Sequence, residues 1–341
     1  MSQSENSKTM RTITLEEHFA TPAFIDGPGR QVRDTATRLA QSQPEAAKAA
    51  QALLDRLCDL DDLRIAEMDA AGIDVQVLSL TSPGTEQLDA AEAVAIARDA
   101  NDILAEAVRR HPSRFAGFAA LPTVAPDRAA DELERTVRSY GFKGAVINGH
   151  IRGRYLDDSF FWPILERAAA LQVPIHIHPT PPPQPVIAAS YTGNFSPQVT
   201  AALAASAWGW HIETALHVLR LIVSGAFDRY PSLQVIIGHM GEALPFMLPR
   251  LELALPVQIT KLERPVGAYL RENVHYTFSG FNFFPTFLDL LLQVGVNRIM
   301  FSADYPYRSM AEARTFLDRL PVSPADKEQI AHGNAERLLH L

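Results

Sequence analysis

Four short segments place metal-binding side chains at the ends of predicted β-strands. They are Leu15-Glu16-Glu17-His18, His176-Ile177-His178-Pro179, Gly238-His239-Met240-Gly241-Glu242 and Phe301-Ser302-Ala303-Asp304-Tyr305-Pro306. Side chains two apart on a strand point the same way, so Glu16 and His18 can bind one ion while Glu17 faces elsewhere. Imidazoles and carboxylates together suit a divalent cation such as Zn²⁺ or Mn²⁺. These residue types and spacings predict a metalloenzyme.

The periodicity of the chain predicts the elements that bring these segments together. Eight β-rich runs alternate with helical stretches: Thr12–Leu15, Ile73–Leu80, Phe115–Leu121, Lys143–Asn148, Pro174–His178, Gln234–Gly238, Val274–Phe278 and Arg298–Phe301. Several runs are apolar without alternation, as in parallel strands covered on both faces. Eight β/α alternations favour a closed barrel, in which the carboxyl ends of all strands meet at one face. We predict an α/β fold, a single-domain distorted (β/α)8 TIM barrel over residues 1–341.

Two stretches interrupt this alternation. The first, Phe24–Leu57, is predicted to be an insertion after strand 1, with a turn at Gly27 and a helical part at Ala46–Leu57. The second, Thr180–Gln198, is rich in proline and follows directly after His178. Long loops at the carboxyl face of a barrel shape the substrate pocket, so both stretches are predicted lids.

Composition limits the classes of partner. The net charge is −8, from 31 Lys and Arg against 39 Asp and Glu, without a basic cluster. This argues against nucleic acid or an anionic membrane as the main partner and favours a small molecule. The single Cys58 excludes an internal disulfide framework, and we expect it to be a buried small apolar residue in a reducing compartment. Without a signal-peptide pattern or a long apolar span, a soluble cytoplasmic protein is expected.

The four motifs resemble those of the aromatic acid decarboxylase group of the amidohydrolase superfamily, of the amidohydrolase 2 type. That group includes γ-resorcylate, 2,3-dihydroxybenzoate, 5-carboxyvanillate and aminocarboxymuconate semialdehyde decarboxylases. The motifs occur in the family's order, and Asp61–Asp69, Arg154–Asp158 and Leu219–Leu221 also resemble the family. The resemblance therefore covers nearly the whole chain.

The resemblance implies four protein ligands for one divalent ion, Zn²⁺ or Mn²⁺: Glu16, His18, His178 and Asp304. Many amidohydrolases bridge two metals with a modified lysine at the end of strand 4. Here that strand ends at Asn148, and Lys143 lies at its beginning, too early to reach the site. A mononuclear site is therefore expected.

The resemblance also implies three catalytic side chains. Asp304 both touches the metal and faces the substrate, so it would protonate a ring carbon. His239 would lie beside the ion as an acid/base group, and Glu242 would orient its imidazole or take up a phenolic proton.

Three further residues are predicted to bind the substrate, a small aromatic carboxylic acid. Trp210 matches a family position that packs against the aromatic ring, and Tyr307 is a second candidate wall. Arg250 matches an arginine that reaches a substrate carboxylate, across a subunit interface in relatives. A homodimer or homotetramer is therefore expected.

The implied function is metal-dependent, reversible, non-oxidative decarboxylation of a hydroxybenzoate-type acid. The alternative is a hydrolase or hydratase of the same superfamily acting on an amide, ester, lactone or unsaturated diacid; a non-catalytic metal-binding protein is the third reading. In the 5-carboxyvanillate branch the histidine of Glu-x-His is a small residue, whereas His18 is present here, as in the γ-resorcylate branch. The substrate is therefore not assigned by analogy.

Other polar residues near the motifs are predicted to have supporting or structural roles. Glu17 is expected to be a structural partner on the opposite face of strand 1, and His176 to face away from the ion. His150 follows strand 4 and either supports the fold or lines the pocket.

Overall fold

The structure is a computed structural model that describes residues 10–31, 33–34 and 44–341. Its strands are β1 Ile13–Phe19, β2 Val75–Leu80, β3 Phe115–Gly117, β4 Ala119–Ala120, β5 Ala145–Asn148, β6 Ile175–His178, β7 Val235–Ile237, β8 Val274–Thr277 and β9 Ile299–Met300. Neighbours pair in parallel as β1-β2-β3 and as β4-β5-β6-β7-β8-β9. The predicted third strand is thus split at Phe118.

Backbone hydrogen bonds join these two sheets into one ring. The N–H of Phe118 donates to the carbonyl of Leu78 at 2.9 Å, which joins β2 to the third-strand region. The N–H of Leu15 donates to the carbonyl of Phe301 at 3.2 Å, which joins β1 to the end of β9. The predicted (β/α)8 barrel is therefore confirmed, with eight strand positions of which the third is interrupted.

Helices lie between the strands and cover the outside of the ring. They are α1 Pro22–Asp26, α2 Pro44–Cys58, α3 Asp62–Ala71, α4 Ala90–Arg110, α5 Pro126–Tyr140, α6 Trp162–Leu171, α7 Gln184–Ser190, α8 Pro197–Ala204, α9 Gly209–Val223, α10 Ala226–Arg229, α11 Leu244–Ala254, α12 Val257–Thr260, α13 Val266–Glu272, α14 Phe284–Val294, α15 Met310–Asp318, α16 Pro324–Glu328 and α17 Asn334–Leu339. In α4, Ala93, Ala97 and Leu104 recur at helical spacing and are buried. Within the described ranges, no helix is both long and apolar enough to cross a bilayer.

The inside of the barrel is apolar at the end where the strands begin. One cluster of buried side chains combines Ile13 and Leu15 of β1, Val77 of β2 and Met300 of β9 with Leu339 of the last helix, α17. Burying a side chain of this size contributes about 1.5–3 kcal/mol. The apolar layer closes that end of the barrel, so the buried polar residues gather at the opposite end, where the strands finish.

The two stretches that interrupt the β/α alternation agree in part with the sequence prediction. Helix α2 contains the predicted Ala46–Leu57, while part of the insertion Phe24–Leu57 lies outside the described residues. The stretch Thr180–Gln198 contains α7, and its role as a lid stays a prediction. The expectation for Cys58 was wrong: this last residue of α2 is exposed.

Candidate metal centre and acid/base site

Strand β1 contains a bulge at Glu16, one of the predicted metal ligands. Leu15 pairs with Val77 and Glu17 pairs with Leu78, so Glu16 is an extra residue in β1. Its φ is +69°, a left-handed conformation that costs an ordinary side chain about 1–3 kcal/mol. The predicted regular alternation of Glu16 and His18 is therefore wrong, because a bulge sets the direction of Glu16.

The bulge nevertheless brings the predicted ligands together. Glu16, His18 and His178 are buried, and their ligand atoms lie within 4.8 Å of one another. His178 Nε2 is 3.7 Å from Glu16 Oε1, and His18 Nε2 is 3.3 Å from Asp304 Oδ1. Glu16 Oε1 and both ring nitrogens of His18 are buried without a hydrogen-bond partner among the described residues. Such unpaired buried atoms are costly, and this donor set fits a divalent cation.

The surroundings of these side chains favour the protonation states that bind a metal ion. Burial lowers the pKa of His18 to about 4 and that of His178 well below its ordinary value, so both imidazoles are neutral. Burial opposes ionisation of Glu16, but the charge of His239 and the neighbouring imidazoles hold its pKa well below the ordinary value. Neutral imidazoles and an ionised carboxylate are the forms that bind metals.

Asp304 differs from Glu16. Burial raises its pKa well above the ordinary value, although His239 opposes this effect. Its side chain retains 13% exposure, whereas that of Glu16 is fully covered. Asp304 is therefore the carboxyl group of the site that can hold a proton and still meet a ligand.

A second cluster forms a chain of hydrogen bonds beside the first. His239 Nδ1 lies 2.7 Å from Glu242 Oε1, and His211 Nδ1 lies 2.5 Å from Glu242 Oε2. Both are direct hydrogen-bond distances, so each gap is bridged by a proton and leaves no room for an ion. Despite burial, the charges of Glu242 and Glu16 raise the pKa of His239 to about 10. His239 is thus a protonated imidazole whose Nε2 is available to a substrate.

The sequence did not single out His211. Its ring comes from the first turn of α9, while His239 and Glu242 follow β7. His211 Nε2 lies 3.1 Å from the indole nitrogen of Trp210 and 3.1 Å from the carbonyl oxygen of Ser206, and these contacts orient the ring so that its Nδ1 meets Glu242. A lone histidine in a helix carries no motif, and its position next to Trp210 was the only available signal.

Aromatic rings border the two clusters. The ring of Tyr307 lies 5.4 Å from that of His18, and its hydroxyl is 2.6 Å from Thr81 Oγ1. The ring of Phe281 lies 5.6 Å from that of His239. These two side chains therefore lie where an aromatic substrate would need walls.

The other two predicted substrate-binding residues, Trp210 and Arg250, are connected to the site less directly than Tyr307. Trp210 is half-buried and touches the acid/base cluster through its bond to His211. Arg250 is exposed on α11, and no described contact within this chain joins it to the site. Its predicted role depends on a second subunit.

Neighbouring polar side chains contact the carboxylate of Glu16 and hold it in place. His176 Nε2 lies 3.3 Å from Glu16 Oε2, and Thr277 Oγ1 donates to the same oxygen at 3.0 Å. Ser279 also donates to it. His150 has a different role, because its Nδ1 accepts from the N–H of Gly153 at 3.0 Å and so holds a loop.

We expect the purified protein to contain about one divalent ion per chain. Both clusters contain three side chains of metal-ligand type, but in the second cluster direct hydrogen bonds already join His211, His239 and Glu242, so we expect the ion in the first. Elemental analysis after dialysis measures the ratio of metal to protein. Two ions per chain about 3.5–4 Å apart, the spacing of a two-metal site, would contradict this expectation.

Comparison with known proteins places the chain in a family. Residues 21–341 match the model of the amidohydrolase family. This chain belongs to the amidohydrolase family. A γ-resorcylate decarboxylase of Polaromonas sp. (strain JS666) is 38% identical over 342 residues, covering 96% of this amidohydrolase and 98% of that protein.

Solved structures agree with this membership. The 5-carboxyvanillate decarboxylase of Novosphingobium aromaticivorans, with manganese and 3-methoxy-4-hydroxy-5-nitrobenzoic acid, has a TM-score of 0.89 at 37% identity, covering 98% of both chains. A dihydroxybenzoic acid decarboxylase from Polaromonas sp. JS666, with manganese and 2-nitroresorcinol, has a TM-score of 0.85 at 38% identity, covering 97% of both chains. Within its family this amidohydrolase belongs to the aromatic acid decarboxylase group, as the motifs implied.

Proposed function

We propose that this amidohydrolase is a carboxy-lyase that decarboxylates a hydroxybenzoate-type acid reversibly and without oxidation. The observation that carries the proposal is one buried site that combines a metal-binding cluster, a protonated histidine and a carboxyl group of raised pKa. A protonated carboxyl group can give a proton to a substrate carbon, and a charged histidine can stabilise negative charge on a substrate oxygen.

The named ligands of two relatives support an aromatic substrate with neighbouring oxygens. The Polaromonas structure contains 2-nitroresorcinol, and the Novosphingobium structure contains a hydroxynitrobenzoic acid, each together with manganese. A nitro group is planar with two oxygens, like a carboxylate. A carboxylate beside a phenolic hydroxyl is therefore the pattern that we propose for the substrate here.

We propose that the chain holds one divalent ion, Mn²⁺ or Zn²⁺. The residues that would hold it are Glu16, His18 and His178, which form the cluster, and Asp304, whose Oδ1 lies 3.3 Å from His18 Nε2. A bound ion of this kind supplies Lewis-acid stabilisation of negative charge on the substrate oxygens.

The remaining chemistry belongs to side chains of the protein. Asp304 donates its proton to the ring carbon that bears the carboxylate, which forms a C–H bond and interrupts aromaticity. The C–C bond to the carboxylate then breaks, its electron pair returns to the ring, and CO₂ leaves. The net reaction consumes one proton, which Asp304 regains from solvent. His239 stabilises the phenolic oxygen by charge, and Glu242 orients His239 through the bond to Nδ1.

We expect a screen of hydroxybenzoates to reveal CO₂ release from acids with a hydroxyl group ortho to the carboxylate. The matched controls are isomers that carry the same hydroxyl groups only at meta and para positions. Protein loaded with Mn²⁺ or Zn²⁺ should be active, and protein stripped by a chelator should be inactive until metal returns. Equal rates with and without metal would contradict the proposal.

We further propose that the active unit is a homodimer or homotetramer joined at an apolar face of α11 and α14. These helices pack against each other, and Phe246, Leu253 and Leu292 are 75%, 78% and 84% exposed. Phe246 and Leu253 are seven residues apart, so they lie on one side of α11. Because α11 also carries Arg250 and follows the His239 loop, a second copy here would lie close to a site.

Leu292→Glu is expected to separate the subunits, because a buried charge at an apolar interface is costly. Size-exclusion chromatography with light scattering measures the change in mass. The matched control is Leu63→Glu on α3, another exposed leucine outside this face. A wild-type protein that is monomeric and fully active at nanomolar concentration would exclude the interface.

We place this activity in a single domain acting in the cytoplasm on a small molecule. The net charge of −8 offers no basis for binding nucleic acid or an anionic membrane. The lone cysteine suits a reducing compartment.

A further inference from the structure

Glu17 is a buried side chain whose two carboxyl oxygens accept hydrogen bonds from the backbone on both sides of Asp304. Oε1 accepts from the N–H of Ala303 at 2.8 Å, and Oε2 accepts from the N–H of Tyr305 at 3.1 Å. The side chain is fully buried on β1, between the two predicted ligands Glu16 and His18. The sequence predicted that Glu17 is a structural partner on the face of strand 1 opposite the ion, without indicating which residues it contacts.

The segment that Glu17 binds has little regular structure of its own. Asp304 follows the short strand β9 and has φ +66°, a left-handed conformation that ordinary side chains avoid. Such a conformation persists only where surrounding contacts fix it. Two hydrogen bonds to one carboxylate fix the peptide units before and after Asp304 at once.

Other contacts join the same two segments and hold Glu17 in place. The N–H of His18 donates to the carbonyl of Tyr305 at 2.7 Å. The buried guanidinium of Arg64 donates to the carbonyl of His18 at 2.8 Å and lies 4.8 Å from the ring centre of Tyr305. Several hydrogen bonds therefore join the backbone of β1 to the Asp304 loop, and those of Glu17 reach the residues directly before and after Asp304.

We infer that Glu17 is a positioning residue for Asp304, which fixes the direction of the Asp304 carboxyl group toward the ion and the substrate carbon. The inference rests on the proposed function for the role of Asp304 as proton donor. It assigns Glu17 no contact with the substrate. A displacement of about 1 Å of a reacting group can cost about 100-fold in rate, so a positioning contact of this kind is measurable.

Glu17→Gln tests the inference with little change in shape. An amide has one acceptor oxygen, so it serves one of the two N–H groups and leaves the other without a partner. At saturating metal we expect kcat to fall about 100-fold, while KM changes less than about threefold, because the groups that bind the substrate are intact. We also expect metal affinity, measured by competition with a chelator, to fall about 10-fold.

The matched control is Glu132→Gln, at a buried carboxylate on α5 that accepts from Asn101 Nδ2 at 2.8 Å and lies outside the site. We expect it to lower the melting temperature without changing kcat or metal affinity. If Glu17→Gln behaves in the same way, with kcat within twofold of wild type, Glu17 is an ordinary structural acid and the inference is wrong.

Hydrogen exchange of the wild-type protein tests the two hydrogen bonds on which the inference rests, even if Glu17→Gln does not fold. Residue-resolved exchange should show the amides of Ala303 and Tyr305 to be strongly protected, because both are bound to a buried acceptor. Exchange of both amides at the rate of an unprotected peptide would overturn the inference. If the wild-type enzyme decarboxylates none of the acids screened, the proposed function fails, whereas exchange and metal affinity still report on Glu17.

Discussion

Asp304→Asn should lower turnover by about 10²- to 10⁴-fold, the size of effect expected for loss of a general acid. An amide oxygen can still contact a metal, but an amide has no acidic proton to deliver to carbon. The variant should therefore bind metal more weakly and, once saturated, still bind the substrate. Rates of CO₂ release at saturating metal, together with substrate affinity by calorimetry, measure the two effects separately.

Near-normal decarboxylation by metal-saturated Asp304→Asn would assign the proton donor elsewhere, with His239 as the next candidate. A useful control is Asp89→Asn, at the exposed cap of α4, where the side chain accepts from the N–H of Glu92 at 3.0 Å. That change also replaces a carboxylate by an amide but lies on a helix end outside the site. It should leave turnover unchanged.

His178→Ala and His239→Ala should both lose activity, but for different reasons. His178 lies in the metal-binding cluster, so its loss should remove both the ion and the activity. His239 is bound through Nδ1 to Glu242, so its loss should leave about one ion per chain while turnover falls about 10²- to 10⁴-fold. Elemental analysis and rate measurements on the same samples separate a ligand from an acid/base group.

A metal-free His239→Ala would make His239 a ligand and would contradict the division of the site into two clusters. His217→Ala provides a control for the loss of a buried imidazole. His217 Nε2 accepts from the N–H of Leu156 at 3.1 Å and so has a structural contact. This variant should lose stability and keep both its ion and its turnover per folded molecule.

The sequence predicted the barrel because the signal for buried parallel strands is local. Continuous apolar runs such as Gln234–Gly238 coincide with strands such as β7, with ends shifted by a residue or two. The interruption at Phe118 was not predictable in the same way. It depends on whether the third strand can pair with both neighbours at once, which is a property of the closed ring.

The site was predictable where a motif lies at a strand end and not where contacts cross between elements. Glu16, His18 and His178 meet because β1 and β6 end at the same face of the barrel. The bulge at Glu16 depends on pairing with β2, and the bond from His211 to Glu242 joins α9 to the loop after β7. A single sequence has no local signal for either contact.

The most direct test of the proposed reaction is the product formed in D₂O. Metal-loaded wild-type protein, given an acid found active in the CO₂ screen, should yield an arene with one deuterium at the carbon that carried the carboxylate. Mass spectrometry locates the label, and the amount of labelled arene should equal the CO₂ released. Release of an amine, an alcohol or a hydrated acid in place of CO₂ and labelled arene would contradict the decarboxylase and favour a hydrolase or hydratase.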